Sequence, residues 1–140
     1  MGLDAVVYRN MNHLELETGQ ESAHVIPETG EICFDNAELS QKYKRYAYAA
    51  EFRLGNASEI SALRQEVTHL TGPDSIILQR ILYSGTHSGD SIPLSSIAAL
   101  SLEPSAISSG PQSPELQSLV SSLNTLVHAA QDEGNPIVFE

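Results

Sequence analysis

An apolar stripe late in the sequence limits the possible folds more than any other feature. Its members recur at three- and four-residue spacing, which places them on one face of an α-helix: Leu116, Leu119, Val120, Leu123, Leu126, Val127 and Ala130. Ser113, Pro114 and Glu115 supply an N-cap, a first-turn proline and an early acid, while Gly134 ends the pattern. The spacing therefore predicts a long helix, reaching as far as Glu133, that buries this face against a core.

Other segments carry the local signals of strands and of further helices. Short apolar runs predict a first strand at 3–8, a hairpin at 24–34 around a Pro-Glu-Thr-Gly turn, and a last strand at 137–139. Helical spacing predicts helices over 35–54, 56–70, 75–82 and 93–102, with a buried strand as the alternative for 75–82. We expect a single α+β domain over residues 1–140, with four or five helices packed on a small sheet formed by the chain ends and the N-terminal hairpin.

Capping and breaking residues set the expected ends of these helices. Asp35 and Asn56 are the predicted N-caps of the first two helices, each with a glutamate three residues later, and Asp74 is the predicted cap of the third. Gly55 is expected to end the first helix. Pro104 is expected to end the fourth, and the polar stretch that follows reads as a loop up to residue 113.

The chain carries a formal net charge of −11 at pH 7, and its acids are unevenly placed. Between Arg9 and Lys42 the sequence has seven acids and no lysine or arginine, and no lysine or arginine follows Arg80. Such a surface disfavours nucleic acid and anionic membrane, because few cations can neutralise phosphates. It favours a basic protein partner, whose association it would accelerate. The alternative is that the acids only keep the protein soluble.

The remaining composition predicts a cytoplasmic protein without a bound cofactor or metal ion. Cys33 is the single cysteine and therefore has no internal disulfide partner. The first apolar run is interrupted by Asp4 and does not resemble a signal peptide, and no apolar run approaches the roughly 20 residues that span a bilayer. Four histidines share no metal-ligand spacing with one another: His13, His24, His69 and His128.

Residues 83–93, with the sequence YSGTHSGDSIP, gather the residue types from which sites are commonly built. Ser84, His87 and Asp90 supply a nucleophile, a base and an acid, but their spacing in a glycine-bounded turn does not fix their geometry. The glycines match neither the Walker A motif nor the dinucleotide fingerprint. His87 and Asp90 are too few ligands for a closed metal site.

We therefore interpret this stretch as a tight turn first and a contact surface second. Gly85 is expected to end the preceding helix, and Gly89 is expected to adopt a positive φ. His87 is expected to hydrogen-bond across the turn. If the loop is exposed, replacement of His87 by alanine is expected to leave the fold largely intact and to weaken partner binding modestly. The pattern assigns no catalytic residue.

Three stretches of the sequence, MGLDAVVYRN, ILYSGTHSGDSI and GNPIVFE, resemble a group of small bacterial cytoplasmic proteins. Members of this group are accessory or immunity-like proteins beside toxin systems, and no catalytic residue set accompanies the likeness. The resemblance implies a binding or neutralising role in preference to an enzymatic one.

Charge, motif content and resemblance lead to one hypothesis and two alternatives. The chain is expected to be a non-enzymatic protein-binding protein, in concrete terms an immunity-type inhibitor of a basic toxin. Its candidate contact residues are Glu15, Glu17, Glu21, Glu28, Glu31, Tyr83, His87 and Asp90. The alternatives are a small enzyme that uses His87 and Asp90 with Ser84 or Tyr83, and a structural or oligomerising module.

Overall fold

A computed structural model describes residues 2–14, 22–85, 87, 89–107 and 112–140. Its strands are β1 (Gly2–Tyr8), β2 (Ala23–Val25), β3 (Ile32–Phe34), β4 (Tyr48–Asn56), β5 (Ser91–Ile92) and β6 (Ile137–Phe139). Its α-helices are α1 (Ala37–Tyr43), α2 (Ala57–Leu70), α3 (Leu94–Leu100), α4 (Glu103–Ile107) and α5 (Pro114–Glu133). Short helical turns at Met11–His13 and Ile77–Ile81 complete these elements. The α+β prediction is confirmed.

Four strands form an antiparallel sheet in the order β4-β1-β6-β5, and β2 pairs with β3 in a separate hairpin. The first and last strands pair as predicted, with Ala5 opposite Phe139 and Val6 opposite Val138. The hairpin was expected to share this sheet. Instead β4 occupies the open edge of β1, and the hairpin packs its own small cluster with Leu14 and Ala47.

Helix α5 forms the centre of the main hydrophobic core. All seven residues of the predicted stripe are buried, and they share one cluster with the β1 side chains Leu3, Ala5 and Val7. The predicted N-cap is also observed, since the Ser113 hydroxyl accepts a hydrogen bond from the Leu116 amide at 3.1 Å. Gly134 ends the helix in the left-handed conformation at φ 66°.

The predicted helix over 35–54 is wrong in its second half. Helix α1 begins one residue later than expected, because Asn36 caps it by accepting from the Leu39 amide at 2.8 Å, and it ends at Tyr43. Residues 48–56 form β4, which pairs with β1 along its whole length. The spacing of their apolar residues suits either element, and the unpaired edge of β1 decides the outcome because its backbone groups need partners.

Gly55 therefore lies in a strand and does not end a helix. Its φ of 153° accompanies a shift in the β1–β4 register between Leu3 and Asp4, which is where glycine tolerates a bulge. Asn56 follows as the predicted cap of α2, and its capping box with Glu59 is complete.

The segment after α2 is helical, as predicted, but another part of the chain caps it. The Glu103 carboxylate accepts hydrogen bonds from the Ser75 hydroxyl at 2.6 Å and from the amides of Ile76 and Ile77 at 2.7 and 3.2 Å. Asp74 was expected in this role. Glu103 opens α4, which occupies part of the predicted loop.

Pro104 is the second residue of α4 and does not end the preceding helix at that position. Proline is tolerated there because the first helical amides need no partner within the helix. Residues 108–111 of the predicted loop lie outside the described residues. Among the helices that are described, none is both long and apolar enough to cross a lipid bilayer.

Candidate functional site

The turn that the sequence singled out joins the helical turn at Ile77–Ile81 to the edge strand β5. Its end is fastened to β6, because the Gly89 amide donates to the Phe139 carbonyl at 2.8 Å and the Phe139 amide donates to the Asp90 carbonyl at 2.9 Å. Tyr83, His87 and Asp90, which we call the turn cluster, are brought together by this attachment. The turn therefore extends the sheet by main-chain pairing and also presents side chains.

His87 is the buried member of the turn cluster, with only 8% of its surface exposed. Its Nε2 atom lies 2.7 Å from the Ile81 carbonyl oxygen, so Nε2 donates across the turn as the sequence predicted. The ring stacks on Tyr83 at a centroid distance of 4.4 Å and meets the edge of Phe139 at 4.6 Å. The His87 side chain is therefore not exposed, and the condition for a mild effect of its replacement is not met.

The second ring nitrogen of His87 faces the acid of the cluster. Nδ1 lies 3.5 Å from Asp90 Oδ2, is buried, and has no hydrogen-bond partner among the described residues. The Tyr83 hydroxyl donates to the same Asp90 oxygen. Aromatic stacking and this hydrogen bond together hold the tyrosine ring and the carboxylate in one arrangement.

Tyr83 and Asp90 form the outer surface of the cluster. Tyr83 is 42% exposed, and 54% of the Asp90 side chain is exposed, against 4% for His87. Together with Gln79, Arg80 and Ser91 they line an open cleft of about 340 Å³. The cleft combines the aromatic ring of Tyr83, the carboxylate of Asp90 and the positively charged side chain of Arg80. This combination suits contact with polar protein side chains.

The surroundings of the His87 ring nitrogens do not favour a role for His87 as a catalytic base or as a metal ligand. A histidine that acts as a general base must place a ring nitrogen within hydrogen-bond reach of the substrate. In His87 one nitrogen bonds to the main chain, and the other is buried and faces Asp90. Within the described ranges, no three His, Cys, Asp or Glu side chains gather in a way that could hold a metal ion. The arrangement therefore gives His87 a role in holding the turn.

The predicted acidic contacts do not all join this cluster. Glu15, Glu17 and Glu21 lie outside the described residues. Glu28 is exposed and Glu31 is half-buried, and both belong to the β2–β3 hairpin region. Partial burial, aided by the Glu31 carboxylate, raises the pKa of the Cys33 thiol above its usual value, which makes this cysteine less reactive at neutral pH.

A second polar cluster escaped the sequence analysis because its members are far apart in the chain. The hydroxyl of Tyr8 donates to Glu140 Oε1, and the hydroxyl of Tyr48 donates to Glu140 Oε2 at 3.0 Å. Burial, followed by the hydrogen bond to Glu140, raises the pKa of Tyr48 to about 12 and that of Tyr8 further. Both hydroxyls thus remain protonated donors that tie β1, β4 and the residue after β6 together.

Comparison of the chain with protein-family models, with curated proteins and with solved structures finds no match.

The backbone of the turn supports a first prediction. Gly89 has a φ of 96°, and a Cβ added there would meet no atom within 4 Å. Gly89→Ala is therefore expected to cost about 1–2 kcal/mol of stability from backbone strain alone. Gly72 is the matched control, because it also has open space but no positive φ, and Gly72→Ala should change stability by less than about 0.5 kcal/mol or increase it. Equal effects of the two substitutions in urea melts would contradict a strained turn.

Proposed function

We propose that this protein is a non-enzymatic binding protein for a basic protein partner, and that the exposed side of the turn cluster contacts that partner. The observation that carries the proposal is the division of roles within the cluster. A buried His87 supports the turn from behind, while Tyr83 and Asp90 face outward next to each other. The sequence resemblance gives the proposal its concrete form, an immunity-type inhibitor of a basic toxin.

Two physical properties of the Tyr83–Asp90 pair favour binding. Tyrosine is enriched among the residues that dominate protein interfaces, because it buries a large rigid surface and keeps a polar group. Stacking on His87 and donation to Asp90 already fix the Tyr83 ring, so little conformational entropy remains to be lost on association. The half-exposed Asp90 carboxylate can accept hydrogen bonds from lysine or arginine.

The net charge of the chain also favours a basic partner, and it acts over longer distances than the contacts of the turn cluster. A net charge of −11 attracts a basic protein and accelerates its encounter with this surface. The exposed Glu28 of the hairpin and the glutamates of the 15–21 segment add to this attraction wherever they lie. Charge supplies the encounter rate, and the ordered Tyr83–Asp90 pair supplies the short-range contact.

The proposal predicts the effects of two substitutions on capture of the partner. The tagged chain is used to capture proteins from the cells that produce it, and the dominant captured protein is then purified. Tyr83→Ala and Asp90→Asn should each weaken its binding by about tenfold or more. Tyr46→Ala and Asp132→Asn are matched controls at exposed positions away from the turn, and binding should change by less than about twofold.

Ionic strength and growth assays complete the test. The association rate should fall by about tenfold from low to physiological ionic strength, because long-range attraction is screened. If the partner is a toxin, co-expression of this chain should restore growth, and Tyr83→Ala should abolish that protection. An acidic partner, a rate that is insensitive to salt, or equal binding by all four variants would contradict the proposal.

A further inference from the structure

Strand β4 ends the four-stranded sheet, and its outer edge faces away from β1. The strand has nine residues, which is longer than the common strand length of about five or six. Among the described residues, no backbone hydrogen bond reaches residues 49–55 from any element other than β1. A long edge of this kind is a template for pairing with another strand.

The two charged residues of β4 lie on the sheet face opposite the main core. Glu51 stands opposite Val6 and Arg53 opposite Asp4, whereas Phe52 stands opposite the core residue Ala5. Glu51 and Arg53 are both exposed, and one guanidinium nitrogen of Arg53 lies 3.6 Å from the Asp4 carboxylate on β1. Register shifts occur on either side, so residues 50–53 form the regular stretch of the strand.

A second copy can pair with this edge in a register that the charges select. A twofold axis perpendicular to the sheet keeps the helices of both copies on the same side and places a residue opposite its own copy. With the axis at residue 51, the two copies of Glu51 would face and repel each other. With the axis at residue 53, the two copies of Arg53 would do the same. An axis at Phe52 places Glu51 opposite Arg53 of the second copy, and this attractive pair occurs twice.

The side chains on the helix face are compatible with the same register. Phe52 meets its own copy, and the small residue Ala50 of the second copy approaches Leu54. Beside Leu54 and Gly55 the surface has an open groove of about 420 Å³, with walls from α2 and α5. The surface next to this end of β4 is therefore open.

We infer that β4 pairs antiparallel with β4 of a second copy around Phe52, which joins two four-stranded sheets into one of eight strands. The attractive Glu51–Arg53 pairs set the register. Because the sheet order places β5 at the opposite edge from β4, the turn cluster of each copy stays outside this interface. The inference is therefore independent of the proposed function.

Charge-reversal variants of the full chain test the inference by sedimentation equilibrium. The wild-type chain should show twice its 15.1 kDa mass at micromolar to millimolar concentration. In a dimer of Glu51→Lys chains, position 51 of each copy faces Arg53 of the other copy, so both pairs are positive. In a dimer of Arg53→Glu chains, position 53 of each copy faces Glu51 of the other copy, so both pairs are negative. Each variant alone should raise the dissociation constant by about tenfold or more. An equimolar mixture of the two variants should restore the dimer, because every cross-strand pair is then attractive.

Asp132→Lys is the matched control, because Asp132 is exposed on α5, lies outside β4 and changes the charge by the same amount as Glu51→Lys; it should leave dimerisation unchanged within about twofold. If a charge variant fails to fold alone, amide exchange of the wild-type residues 50–54 decides the matter, and their protection should rise with protein concentration. A wild-type chain that stays monomeric to about 1 mM, a dimer insensitive to both charge reversals, or a mixture that remains monomeric would overturn the inference.

Discussion

Replacing Leu123 by alanine is expected to lower the free energy of unfolding by about 2–5 kcal/mol, the usual cost of a large-to-small substitution in a core. Leu123 has no exposed surface and lies in the middle of α5, whose buried face packs against β1 and β4. The loss of its side chain would leave a cavity between the helix and the sheet. Urea melts monitored by circular dichroism give the measurement.

Leu102→Ala is the matched control for this substitution. Leu102 is 72% exposed, so its replacement should change stability by less than about 0.5 kcal/mol. A loss below about 0.5 kcal/mol for Leu123→Ala would show that α5 is peripheral. A transition that splits into two steps would show that α5 and the sheet do not unfold as one cooperative unit.

Replacing His87 by alanine is expected to cost about 2–3 kcal/mol, although the sequence suggested a mild effect. The substitution removes the donor to the Ile81 carbonyl, and an unsatisfied buried group costs about 1–3 kcal/mol. It also removes the ring contacts with Tyr83 and Phe139, which add about 0.5–1.5 kcal/mol each. Losses at one site overlap, so the expected total is smaller than their sum.

Two further variants separate the causes of this effect. His87→Phe retains the ring contacts and loses the hydrogen bond, so it should fall between the wild type and His87→Ala. His128→Ala, at an exposed position on α5, should change stability by less than about 0.5 kcal/mol. A His87→Ala chain with wild-type stability would show that the turn is held by its main-chain bonds to Phe139 alone.

The two proposed surfaces use opposite edges of one sheet. The turn cluster lies at the start of β5, and the proposed pairing edge is β4, with β1 and β6 between them. A dimer would present two turn clusters, one at each outer edge of the extended sheet. A basic partner that binds both copies would gain affinity from the link between them, provided that its geometry can span both.

Local sequence determined the elements whose boundaries are marked within a few residues of each other. The limits and the buried face of α5, the Asn56 capping box of α2 and the hairpin turn are all observed where the sequence predicts them. In each case a cap, a glycine or a proline and a single periodic pattern agree with one another. Local agreement of this kind leaves little for distant contacts to change.

Tertiary structure decided the segments in which two patterns compete. Residues 48–56 contain alanine, tyrosine and leucine at spacings that suit a helix, yet they form β4, since β1 offers an edge whose backbone groups need partners. Likewise, Glu103 replaces Asp74 as the cap of the helical turn at Ile77–Ile81 because α4 brings its carboxylate to three donors. No local window contains both partners of such a contact.

In the turn cluster, too, some features were determined by the local sequence and others by the tertiary structure. The sequence alone determined which residues form it, because Tyr83, His87 and Asp90 lie within one glycine-bounded turn, and it also anticipated the positive φ of Gly89. Which of them faces solvent was decided by β6, which places Phe139 against the His87 ring and pairs with the main chain of Gly89 and Asp90. Burial depends on what the rest of the chain packs against a side chain, and only the folded structure brings those distant residues together.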